Sequence, residues 1–250
     1  RHIPTINNAG KGGYIAMLSI FKKEFKSYFN SPIEYVMIGL FIFISSLLFY
    51  LNLASSSAEY NFNLSYMALI LILIIPILTM KILDDERKSG TEVLLITSPA
   101  SLTSIVVGKY LAAFAVFLVM TAITFIYPII LAVLGEPSFS EIVGGYIGFI
   151  LLGAAFISFG LFASSLTESQ IIAAIVSVVG LLVMWLLQGI APSLGGIWSK
   201  ILNWFSLYSR TEDFFAGILS LGPIVYYLSF SAVFIFLTIR VIEKRRWSKG

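Results

Sequence analysis

Chemistry needs side chains that carry, give or take charge, and in this 250-residue chain they are scarce and unevenly placed. There is one histidine, His2, and no cysteine, which excludes a disulfide framework, thiol catalysis and cysteine-ligated metal and leaves little for a metal site. The densest charge is the run Asp84-Asp85-Glu86-Arg87-Lys88-Ser89-Gly90-Thr91-Glu92, followed by Val93-Leu94-Leu95-Ile96-Thr97-Ser98-Pro99. A mixed-sign cluster leading into a short apolar helix, with Pro99 to stop it and Ser101 or Thr103 to cap the next, suits docking onto a soluble partner. A solvated loop is the plainer reading of the same charges. Thr167-Glu168-Ser169 forms a second, smaller polar break. A third group, Phe21, Lys22, Phe25 and Phe29 with Leu18, Lys23 and Lys26, sets aromatics on one helical arc and lysines on the other.

The elements that must hold these groups follow from composition. With 58% hydrophobic and 12% charged residues and a mean hydropathy of +0.96, the chain cannot cover a soluble surface and belongs in a membrane. Six uncharged windows separate the charges, and hydrophobicity and turn signals trim them to helices at about 34–53, 64–83, 107–134, 142–166, 170–190 and 222–242. The expected fold is all-α: a polytopic membrane protein with six transmembrane helices and an interfacial helix at 18–30, ended by Pro32. Residues 1–16 read as a tail ahead of Met17, and 17–250 as one transmembrane domain.

With the N-terminus inside, fourteen Lys and Arg fall on the cytoplasmic side and two, Lys200 and Arg210, outside. That asymmetry places both termini in the cytoplasm. A basic flank that only enforces topology would explain the lysines at 22–26, but not the phenylalanine stripe. Within the spans no ionisable residue lies deep, which argues against ion coupling, and the missing buried acid, base and metal ligands argue against an intramembrane enzyme. Pro76 and Pro128 predict kinks. Gly144-x-x-x-Gly148 and Gly160-x-x-x-Ser164 predict close helix packing, more simply within one subunit than at a dimer seam, and Gln188 predicts an interhelix hydrogen bond. The aromatic outer segment 191–221, with Trp198, Trp204 and Phe205 as candidate gate residues, predicts short re-entrant or interfacial helices. A simple aromatic anchor is the equal alternative.

The pattern Glu86-Arg87-Lys88-Ser89-Gly90-Thr91-Glu92-x-Leu94-Leu95-x-x-Ser98-Pro99-x-Ser101, ending in Gly108-Lys109, resembles the cytoplasmic loop of type-2 ATP-binding-cassette permeases. It looks most like the group that serves gliding motility and nitrous-oxide-reductase maturation, over residues 17–250. The resemblance implies a coupling helix carrying Glu86, Arg87, Lys88, Gly90, Thr91, Glu92, Leu94, Leu95 and Pro99, seated in a cleft of a separate ATPase, with Thr167, Glu168 and Ser169 as a second contact. It further implies two copies of the chain, two ATPases, and the first and fifth spans facing across a two-fold axis.

No Gly-x-x-x-x-Gly-Lys-Ser/Thr phosphate loop is present, so the chain itself holds no cofactor and is no enzyme; ATP and magnesium belong to the partner. The expected setting is the cell inner membrane, with lipid neighbours and no nucleic acid partner. An ATP-driven exporter subunit is the leading function, and an anchor or scaffold for an ATPase that does mechanical or regulatory work is the alternative.

Overall fold

The computed structural model describes residues 6–54, 60–83, 101–134 and 138–248, and among them it is all-helical with no strand. The order is α1 (Ile6–Tyr28), α2 (Pro32–Ala54), α3 (Tyr60–Thr79), α4 (Leu102–Thr124), α5 (Ile126–Leu134), α6 (Phe139–Leu166), α7 (Gln170–Leu194), α8 (Gly196–Phe205), a 3-10 turn (Tyr208–Arg210), α9 (Glu212–Phe215) and α10 (Leu221–Ser248). Among the described residues five stretches are long and apolar enough to cross a membrane: Pro32–Ala54, Leu102–Leu134, Phe139–Leu166, Gln170–Ile190 and Leu221–Arg245. The apolar part of α3, Asn63–Thr79, is shorter. At 1.5 Å per residue it reaches about 25 Å, a little under the ~30 Å hydrocarbon core.

Most expected helices fall inside observed ones, and the exceptions have local causes. The helix expected at 64–83 stops at Thr79, because the chain turns at 80–83 to bring Lys81 and the Ile82 carbonyl against charged side chains of other helices. The helix expected at 107–134 is divided at Phe125, three residues before Pro128. The helix expected at 18–30 starts at Ile6 and so takes in much of the segment read as a tail; glycines at 10, 12 and 13 weaken a helix, but no proline after Pro4 stops one. Leu18, placed on its apolar stripe by spacing, is instead exposed, and the face in contact runs through Met17, Ile20, Phe21, Phe25 and Tyr28. Pro32 opens α2, where its missing N–H costs nothing.

The bundle is built around α6. Of the apolar window in α6, 72% is buried, against 17% for α7, so α6 is the axis and α7 lies at the edge. Small residues allow this. A Cβ on Gly144 would lie 2.6 Å from the Phe214 carbonyl, one on Gly148 would lie 2.7 Å from the Phe214 side chain, and those on Gly153 and Gly160 would overlap Phe117 and Thr79. The glycine spacings thus serve packing within one chain, as the simpler reading expects. Phe159 and Phe162 meet Phe234 edge-on at 5.2 and 5.4 Å, which packs α10 against α6.

Candidate functional site

The helix directions bring the ends of α1, α3, α6 and α10 and the starts of α2, α4 and α7 to one face, the face from which residues 84–100 depart. The nine residues Glu86, Arg87, Lys88, Gly90, Thr91, Glu92, Leu94, Leu95 and Pro99 lie outside the described residues. What is described is the frame on both sides of them. On the far side of the loop, Ser101 caps α4, its hydroxyl oxygen accepting from the Ser104 N–H at 3.1 Å, as its position after Pro99 predicts.

The frame is closed by two ion pairs. Lys109, on the second turn of α4 and only 1% exposed, donates to Glu24 Oε1 at 3.0 Å and to the Ile82 carbonyl at 2.8 Å. One ammonium group therefore joins α1, the residue just before the loop, and the helix just after it. Lys81 donates to Glu34 Oε1 at 3.0 Å and to Ser31 Oγ at 3.3 Å, tying the turn after α3 to the start of α2. The Tyr28 hydroxyl donates to the Leu78 carbonyl at 3.2 Å. Glu24, Ser27, Tyr28, Ser31, Glu34, Lys81 and Ile82 line a small crevice between these elements.

Backbone approach makes the first pair possible. A Cβ on Gly108 would lie 3.0 Å from the Met17 carbonyl and 3.2 Å from Ile20, so α1 and α4 cross in near contact one residue from Lys109. Phe21, Phe25 and Phe29 form a ring series along α1, with centroids 5.8 and 5.0 Å apart, and pack on the core. Lys22, Lys23 and Lys26 point away from it and are exposed. The apolar side of α1 is thus spent on the bundle, with the lysines on its outer side.

Thr167, Glu168 and Ser169 form the extended turn between α6 and α7, where the Thr167 hydroxyl accepts from the Ser169 N–H at 3.2 Å and Glu168 is exposed. The Ser164 hydroxyl, one turn earlier, donates to the Met80 carbonyl at 3.4 Å. That bond brings the second polar break beside the root of the first.

The other end is closed by the short helices at 196–215. Gly195 and Gly196, at φ 62° and 60°, turn the chain out of α7, a backbone that other residues rarely adopt. Phe214 is fully buried against α6, Asn61 donates to the carbonyls of Glu141 and Phe215, and Gln188 donates to Glu212 Oε1 at 2.6 Å. The interhelix bond expected of Gln188 is thus made. Arg210 lies 3.9 Å over the Tyr226 ring, and the Tyr226 hydroxyl donates to the Trp204 carbonyl at 2.7 Å. Burial pushes the Tyr208 phenol above its ordinary value. Trp204 meets Tyr226 edge-on at 5.8 Å yet is 59% exposed; Trp198 and Phe205 share α8, with side chains outside the described ones.

Sequence reasoning used Glu34, Lys81 and Lys109 as window boundaries and topology charges and passed over Glu24 as a partner. The signal was present. Alternating helix direction puts Glu34, which opens the first window, at the same depth as Lys81, which closes the second, and Lys109, which opens the third.

Among the described residues no group of His, Asp and Glu could hold a metal. No curated protein matches the chain. The family described as ABC-2 family transporter protein matches residues 18–247, nearly the whole chain, with residues 84–100 and the paired residues Glu24, Glu34, Lys81 and Lys109 inside the matched range. The chain, a multi-pass membrane protein by its helices, therefore belongs to the ABC-2 family of transporter proteins.

Proposed function

We propose that the chain is the transmembrane subunit of an ATP-driven exporter, taking its energy from a separate ATP-binding-cassette ATPase. Family membership makes it a membrane permease component of an ATP-binding-cassette system. The observation that carries the finer reading is the double clamp at the root of residues 84–100. Lys109, after residues 84–100, is held to Glu24 of α1 and to the Ile82 carbonyl before them, and Lys81, before them, is held to Glu34 of α2. A push on the loop then reaches four helices at once.

The loop motif at 86–99 supports seating in an ATPase cleft, of the kind used by the gliding-motility and nitrous-oxide-reductase-maturation group, with Thr167–Ser169 as a second contact. ATP and magnesium sit on the ATPase pair, whose closure must favour one arrangement of the permease over the other, or no shift follows. The working unit has two permeases and two ATPases. Exposed apolar rows with alternating three- and four-residue spacing support this, Val36, Leu40, Phe43, Leu47 and Tyr50 on α2 and Ile172, Ile175, Val179, Leu182 and Leu186 on α7. The six uncharged windows support six crossings, and the fourteen-to-two distribution of basic residues supports both ends in the cytoplasm; an inner-membrane location belongs to the same reading.

The test is reconstitution with the ATPase. Glu86→Lys or Glu92→Lys should leave ATP hydrolysis running while flux falls, or prevent assembly of the complex. Normal assembly together with normal coupled flux in both variants overturns the reading. If hydrolysis is indifferent to every lipid, glycan and peptide offered, the anchor or scaffold reading takes its place.

A further inference from the structure

The third apolar stretch is longer than a membrane requires. The 23 residues of α4 span about 34 Å, already more than the hydrocarbon core. Counted from Lys109 at the charged face, however, α4 supplies only about 24 Å, so the nine residues of α5 complete the crossing, and the way they are attached is unusual. Pro128 has no N–H, so the Thr124 carbonyl four residues earlier loses its helical partner. At Phe125 the N–H donates to the Ala122 carbonyl at 3.2 Å, a tighter turn than the α-helix makes. The freed Thr124 carbonyl is met from outside: the Tyr146 hydroxyl of α6 donates to it at 2.9 Å, and the Tyr60 hydroxyl of α3 lies 2.9 Å from that of Tyr146. Each phenol has one proton, so with Tyr146 donating to Thr124, Tyr60 donates to Tyr146.

Two residues past the break the attachments change. Ser45 donates to the Ile42 carbonyl of its own helix, so it accepts from the Tyr127 hydroxyl at 2.9 Å, and Tyr127 in turn accepts from Ser46 at 2.8 Å. The Phe49 ring stacks on Tyr127 at 4.7 Å. Among the described residues, both hydroxyl partners of Tyr127 and its ring partner lie on α2, and Phe49 in turn meets the Tyr60 ring edge-on at 6.4 Å. We infer that the third apolar stretch is jointed at Phe125, with α5 carried by α2 through Tyr127, and α4 held to α6 and α3 through Tyr146 and Tyr60. The joint stands on contacts within one chain and holds whether or not the chain is an exporter.

The absence of cysteine allows paired spin labels at chosen sites. Labels at Leu53, Val133 and Val143, all exposed, report α2 to α5 and α5 to α6 in nanodiscs, diluted with unlabelled chain and read by pulsed electron paramagnetic resonance. Pro128→Ala, which restores the missing N–H, should narrow the 133–143 distribution. Tyr146→Phe, which keeps the ring stacked on Phe125 at 4.1 Å but removes the donor, should widen it. Tyr127→Phe should widen 53–133. A 133–143 distribution unmoved by both of the first two variants overturns the joint, and an unmoved 53–133 distribution in Tyr127→Phe overturns the link to α2. Loss of flux in a reconstituted exporter plays no part in these readouts, so failure of the transport reading leaves them intact.

Discussion

Lys109 and Glu24 differ in one respect that decides how each tolerates change. The lysine side chain is 1% exposed and the glutamate 16%, so removing the carboxylate strands a charge with no access to water, while removing the amine leaves a carboxylate that water can reach. Breaking a buried pair from one side costs on the order of 3 kcal/mol, and replacing both partners by apolar groups costs much less. Glu24→Ala should therefore lower the melting temperature more than Lys109→Met, and the double variant should recover most of the loss. Equal effects for the two single variants, or simple additivity in the double, would show that the pair does not act as a unit. Glu24 was legible only as one more charge on an amphipathic helix, because pairing depends on the crossing of α1 over Gly108, and nothing local to 18–30 encodes that crossing.

At the scale of elements, the helices themselves were largely readable, since a 20-residue apolar run has few alternatives to a helix. Their packing was readable where it depends on small residues. Gly144 and Gly148 admit Phe214, so α9 is held in close contact with α6. Gly144→Ala should displace α9 and cost about 2 kcal/mol, because the obstacle is the backbone carbonyl of Phe214 and cannot swing away. Gly222→Ala, where nothing lies within 4 Å, should be neutral or slightly stabilising. Thermal unfolding of the two variants side by side checks this, and a destabilised Gly222→Ala with a normal Gly144→Ala would reverse the assignment. The division of the third stretch at Phe125 was half legible: Pro128 announces a lost hydrogen bond, but not that Tyr146 would replace it.

For the molecule as a whole, the charged face collects both polar breaks and α1, while the opposite end is closed by short helices. Cysteines introduced at Glu168 and Lys244 should react with an impermeant maleimide only in inside-out vesicles, and one at Lys200 only in right-side-out cells or spheroplasts. The reverse pattern would invert the proposed orientation. A substitution at Gly39 probes assembly. Gly39 sits within the exposed row of α2 with nothing of its own chain within 4 Å, so Gly39→Trp should leave the single chain folded but shift dimers to monomers in native mass spectrometry. A dimer population equal to that of the unmodified chain would remove α2 from the two-fold axis.

The sequence by itself determined the class of the protein. A chain with 12% charge must bury its surface in lipid, and its few charges must lie outside the apolar windows. These are consequences of transfer free energy and need only the order of residues. Tertiary structure decided which charges meet, which carbonyls are rescued and which helix is central. Lys109 with Glu24, Tyr146 with Thr124, and Phe214 with Gly148 are separated by 85, 22 and 66 positions, and each depends on how whole helices cross. Crossings are set by the sum of many small packing terms over α6 and its neighbours, and no single residue reports that sum.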